Sequence, residues 1–200
     1  MQWPDGVPGA ENVHAAWRMR VAERAAGVYA GNRNLAALAV AGSVGAGIAD
    51  RFSDLELDCY WARPPTDADR LAPARALGGE LTALWDYDQD DQEWSEDYLI
   101  GELGITVSNF LISTVEQFLD DVLVRASTDP VRHMRLAALQ RCRPLAGPEL
   151  MASWRARAGT FPRTLVSALV QQALAPTYSP AGQPAKRSSA AATTWRSATC

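Results

Sequence analysis

Three acids stand at alternate positions in the segment Ser53-Asp54-Leu55-Glu56-Leu57-Asp58, shortly after a Gly42-Ser43 pair. Alternation along a strand sends Asp54, Glu56 and Asp58 to one face, with Asp54 and Glu56 about 6–7 Å apart at their Cα atoms. Carboxylates held side by side repel unless a cation sits between them. Mg²⁺ suits this role, because it takes oxygen ligands and leaves positions for waters and substrate phosphates. The small-residue turn Gly42-Ser43-Val44-Gly45-Ala46-Gly47 removes bulk, so that backbone N–H groups and the Ser43 hydroxyl can approach a phosphate. Together these are parts of a metal-assisted phosphoryl or nucleotidyl transfer site.

Those residues need elements to hold them. Glu11 to Ala30 reads as a helix, with Val13, Trp17, Val21 and Val28 near helical spacing and Gly31-Asn32 as its stop. Leu35 to Ala41 is a continuous apolar run that suits a buried strand entering the Gly42-Ser43 turn. Leu55 to Trp61 is a second strand, with Leu55, Leu57, Cys59 and Trp61 on its apolar face. Thr66 or Asp67 caps a helix running to about Leu77. Leu81 to Trp85 is a third strand. Asp86 to Asp97 holds seven acids and reads as a loop that opens into a strand near Tyr98. Tyr98 to Glu102 and Ile105 to Ile112 read as a hairpin. Ser113 or Thr114, with Glu116 or Gln117, forms a capping box for the next helix. Beyond Pro130 only helices are predicted, over Val131–Cys142, Pro148–Ala158 and Pro162–Ala175. A dinucleotide loop has the spacing Gly42-x-x-Gly45-x-Gly47, but it opens directly into a long helix, and here a strand begins at Asp54.

The order strand, Gly42-Ser43, short loop, Asp54-Leu55-Glu56 resembles the nucleotidyltransferase superfamily of the polymerase-beta type. Ser53 before the first acid, and Gly47, Asp50 and Arg51 in the loop, resemble its small bacterial members, among them the antibiotic nucleotidyltransferases. The resemblance is specific over the loop and second strand and extends loosely over Glu11 to Val124. It implies an α/β core with a small mixed sheet and helices on one face, over residues 10–126, followed by a helical region over 127–175. It implies that Gly42, Ser43, Gly47, Arg51 and Ser53 contact a nucleoside triphosphate such as ATP, and that Asp54 and Glu56 bind Mg²⁺. Family members place a third acid on a later strand. Here Ser108 and Asn109 stand at that strand's centre. Asp58, as a further metal ligand, and Glu93, as a base on a separate segment, are the candidates for that role. The implied reaction transfers a nucleoside monophosphate to a hydroxyl of a small molecule, an aminoglycoside or lincosamide being the named examples. Alternatives are a toxin–antitoxin nucleotidyltransferase acting on protein or RNA, and a non-catalytic nucleotide-binding or interaction protein of the same fold.

Composition bounds these readings. The chain has 200 residues, 48% hydrophobic and 21% charged, with a formal net charge of −4. That is an ordinary globular composition, and it disfavours nucleic-acid binding through a basic surface. Charge is unevenly distributed. Ala76 to Val124 has twelve acids and no Lys or Arg, whereas Arg125 to Arg163 has eight Arg and two acids. The acidic stretch points to a cationic acceptor such as an amino sugar, or to a solvated loop; the Arg residues, to a solvated helical face or a phosphate clamp. Cys59, Cys142 and Cys200 form no zinc spacing, so a reduced, cytoplasmic compartment is expected, with Cys59 and Cys142 as buried apolar residues. No apolar run approaches the ~20 residues of a membrane span, and the first residues lack the pattern of a signal peptide. Pro176 to Cys200, poor in periodic apolar residues, is expected to be a disordered tail or a non-native end.

Overall fold

A computed structural model describes residues 12–175. Helix α1 (Val13–Tyr29) begins at Asn12, whose Oδ1 accepts from the backbone N–H groups of His14 and Ala15, both at 3.1 Å. Its inward stripe of Ala15, Arg18, Met19, Ala22, Ala25 and Tyr29 follows helical spacing. Then come β1 (Leu35–Val40), the single turn α2 (Gly42–Gly45), β2 (Leu55–Trp61) and α3 (Asp67–Ala76), which starts with a capping box between Thr66 and Asp69. The chain continues through β3 (Glu80–Asp88), β4 (Glu93–Ile100), β5 (Leu103–Leu111) and α4 (Ile112–Leu123). It closes with α5 (Pro130–Arg141), β6 (Arg143–Ala146), α6 (Pro148–Ala158) and α7 (Arg163–Leu174).

The six strands form one mixed sheet in the order β3-β4-β5-β2-β1-β6. Only β2 and β5 pair in parallel, with Glu56 opposite Thr106 and Asp58 opposite Ser108. The sheet carries a core on each face. Leu38, Val40, Leu55, Leu57, Cys59 and Trp61 pack with α1 and α3 on one side. Ala37, Ala39, Tyr60 and Phe110 pack with α4, α5, α6 and Leu165 of α7 on the other. Helices therefore cover both faces, which corrects the one-face arrangement. The cause is visible in the strands: Tyr60 and Phe110 interrupt the polar alternation of their face and need an apolar cover. The helical segment expected from residue 127 supplies much of that cover, and β6 returns to pair with β1.

Three further expectations are corrected. The acidic stretch is mostly strand, and the turn between β3 and β4 shrinks to 89–92. Asp88 Oδ1 accepts from the backbone of Asp90 and Asp91 there, and Gln92 takes a positive φ of 56°. The strands tolerate their acids because cations and hydroxyls arrive from elsewhere: Arg70 on Glu96, Arg135 on Glu93 and Thr106 on Asp97. Second, α4 follows β5 without a side-chain cap. Glu116 instead accepts from Trp154 Nε1 and pairs with Arg157 of α6. Third, β6 replaces uninterrupted helix after Pro130. Gly147 then turns the chain at φ 61°, where an added Cβ would lie 2.2 Å from the Ala36 carbonyl oxygen.

Cys59 and Cys142 are buried thiols, as expected. Among the described residues no helix is long and apolar enough to cross a membrane. The start of the first helix at Glu11, the tail 176–200 and Cys200 lie outside the described residues.

Candidate active site

The site is built where β1 turns into β2. The Ala41 N–H donates to the Glu56 carbonyl at 2.9 Å, so the end of β1 holds β2 at the level of its acids. Gly42 follows at φ 56°, and a Cβ there would meet Glu56 Oε1 at 2.3 Å. The Glu56 carboxylate thus lies against bare backbone that only glycine leaves open. Asp54 has a similar seat. A Cβ on Gly104 of β5 would come 2.7 Å from Asp54 Oδ1. Both acids are exposed at the residue level, and neither has a salt-bridge partner among the described residues. Partial burial of its carboxyl, then the neighbouring Asp54, push the Glu56 carboxyl above its ordinary range. Arg18 acts on Asp54 from beyond salt-bridge distance, and no cation pairs directly with either acid among the described residues.

Further along the same face, Asp58 has a partner of its own. Its Oδ2 accepts from the Tyr60 hydroxyl at 3.3 Å. Burial raises it to about 6, with Arg135 pulling the other way and Glu56 adding to the rise. Glu93, at the start of β4, pairs with Arg135 of α5 at 2.9 Å. Burial raises Glu93 to about 7; Arg135 and a hydrogen bond with Ser108 oppose the rise, while Asp91 and Asp58 add to it. Ser108 therefore lies between Asp58, its partner across β2–β5, and Glu93. Asn109 points to the opposite face. It accepts from Trp61 Nε1 at 2.9 Å and donates to the buried Glu96, which is also paired with Arg70 at 2.7 Å.

These side chains border a cleft of about 490 Å³ between the sheet and α5. Gly42, Ser43, Glu56 and Asp58 line it; Asp54, Glu93, Gly47, Arg51 and Ser53 do not. The last three instead shape the loop before β2. The Ser53 hydroxyl donates to Asp50 Oδ1 at 2.9 Å, and the Arg51 guanidinium lies over the Phe52 ring at 4.4 Å. Helix α1 pins that loop from behind. Asn12 Nδ2 donates to the Gly47 and Ala49 carbonyls, and the buried Arg18 to those of Arg51 and Ser53. Among the described residues no group of three or more His, Cys, Asp or Glu is arranged to hold a metal ion.

Two charged cleft residues lay outside the sequence-based set. Arg135 and Arg141 of α5 line the wall facing the sheet. A signal for Arg135 exists: Leu136 and Leu139 mark the buried stripe of α5, and Arg135 lies one helical turn from Leu139. No family model matches the chain, and no curated protein is significantly similar to it.

Proposed function

We propose that the chain is a Mg²⁺-dependent nucleotidyltransferase that moves a nucleoside monophosphate from a nucleoside triphosphate to a hydroxyl of a small molecule. The observation that carries this reading is the seating of Glu56 against Gly42, beside Asp54, with no salt bridge to either acid among the described residues and only Arg18 acting on Asp54 from longer range. Two carboxylates with open surroundings fit an ion that completes its octahedron with waters and phosphates. Asp54 and Glu56 would hold Mg²⁺, which when bound supplies charge stabilisation at the phosphate that is attacked. Gly42 keeps the turn bare for the triphosphate, and Ser43 offers a hydroxyl beside it. The acceptor hydroxyl attacks the α-phosphate, pyrophosphate leaves, and the hydroxyl proton goes to a carboxylate.

Glu93 suits that last task. A base works best when its pKa lies near the operating pH, and burial brings Glu93 to about 7. Ser108 and Arg135, which do line the cleft, hold it just behind the wall. A second reading is favoured by Ser108 at the centre of β5. It is a nucleotide-binding or interaction protein without transfer activity.

Pyrophosphate release separates the two. Purified chain with Mg²⁺, a mixture of the four ribonucleoside triphosphates and a panel of hydroxylated amines should release pyrophosphate. Asp54→Ala and Glu56→Ala should each lower the rate about a hundredfold or more, the loss of several kcal/mol of charge stabilisation. Triphosphate binding with no pyrophosphate release from any acceptor would favour the second reading.

A further inference from the structure

The cleft is two-sided in its chemistry. Its floor is aromatic: Tyr60 and Phe110 lie nearly parallel with ring centroids 5.9 Å apart, and Phe118 stands beside them. Its mouth carries two apolar side chains left to solvent, Met134 at 58% and Ile48 at 74% exposure. Such a volume and lining fit an organic ligand with an apolar ring rather than a fully hydroxylated one. Glycans and polyamines would leave this lining unused.

The charges around the same space do not balance. Glu56 and Asp58 line it, while Arg135, which also lines it, is committed to Glu93 just outside. Arg141, the other cleft cation, lies exposed at the end of α5. Asp58 has only the Tyr60 hydroxyl as a hydrogen-bond donor, at 3.3 Å, and no salt-bridge partner among the described residues. An ammonium group would supply the missing cation, in surroundings where water screens the attraction poorly.

We infer that this cleft binds an amphipathic aryl amine, its ring against Tyr60, beside the Phe110 ring that the Arg135 guanidinium covers at 4.9 Å, and behind Met134, and its ammonium group on Asp58. Resting on the transferase reading, this names the acceptor class: a hydroxylated ring compound with one amine, lying with its hydroxyl toward Asp54 and Glu56. The acidic turn at 89–92 is then not the acceptor surface.

Calorimetric titration of the whole chain, without nucleotide or metal, tests the site by itself. Four probes divide its features: tyramine has ring and amine, tyrosol has the ring with a neutral hydroxyl in the amine's place, spermidine has charge without a ring, and glucosamine is a hydroxylated amine without one. Tyramine should bind about tenfold or more tighter than each of the others. Asp58→Asn should erase the advantage of tyramine over tyrosol. Met134→Ser, at an exposed position that the fold does not need, should weaken tyramine and tyrosol alike. Equal binding of tyramine and tyrosol, tighter binding of spermidine or glucosamine, or no tyramine binding would overturn the inference. Tyramine binding without pyrophosphate release would instead keep this site and remove the transferase reading; pyrophosphate release without tyramine binding would do the reverse.

Discussion

At the scale of single residues the site depends on two contacts between a carboxylate and a bare backbone. Gly42→Ala should therefore act on Glu56 rather than on the fold at large. Its Cβ would lie 2.3 Å from Glu56 Oε1 at a φ of 56°, so the carboxylate must move. Expected is a loss of metal-dependent triphosphate binding with a stability cost of only about 1 kcal/mol, read by calorimetry beside urea denaturation. The buried acids make a second prediction. Asp58 at about 6 and Glu93 at about 7 stand above their unfolded values, so the folded protein holds protons that the unfolded chain gives up in the window between about pH 4 and 7. Their charge opposes folding fully above that window, and the opposition fades as pH falls through it. Thermal melting should be higher at about pH 5 than at about pH 8, and Asp58→Asn with Glu93→Gln should reduce that difference, the buried Glu96 at about 7 keeping the rest. Asp50, Asp69 and Asp88, held low chiefly by hydrogen bonds, act with the opposite sign at more acid pH. Gly42-Ser43 and the alternation of Asp54, Glu56 and Asp58 were legible in the sequence because each is local. The placing of Ser53 and Arg51 outside the cleft was not. It depends on Arg18 of α1, far away along the chain.

At the scale of elements the strands show what periodicity can and cannot carry. β2 was legible to its ends, since Leu55, Leu57, Cys59 and Trp61 alternate with Glu56, Asp58 and the amphipathic Tyr60. β3 and β4 were obscured by their acids. Arg70, with a side chain 1% exposed, crosses from α3 to Glu96, which is fully buried, and to the carbonyls of Trp85 and Ser95. That pairing makes an acidic strand possible, and no local pattern announces it. Arg70→Met should cost about 3–5 kcal/mol in urea denaturation, because Glu96 would remain buried without its cation. Replacing both, with Arg70→Met and Glu96→Leu, should recover most of the loss; no recovery would mean that the pair contributes little by itself. Since β4 also carries Glu93, the single variant should disturb the cleft as well as the fold.

At the scale of the whole molecule a mixed sheet is closed on both faces, and the two closures are unequal. The α1–α3 side and the α4–α6 side each bury a continuous core. Helix α7 is joined to the second through Leu165, while Val166, Leu169, Val170 and Leu174 remain exposed. Amide exchange should be fastest in α7 among the helices of ten or more residues, and slowest in β1, β2 and β5. The overall order of elements was readable as far as the hairpin, but not which face the later helices would take, because the apolar stripe of a helix does not say which side of a sheet it will cover. The central claim is narrower than the fold: Asp54 and Glu56 form a metal-dependent triphosphate site. Titration of the whole chain with a non-hydrolysable triphosphate analogue, with Mg²⁺ and again with chelator, tests it most directly. Binding that needs Mg²⁺ and is lost in Glu56→Ala is predicted; binding that is equal with and without Mg²⁺, or no binding at all, would contradict it.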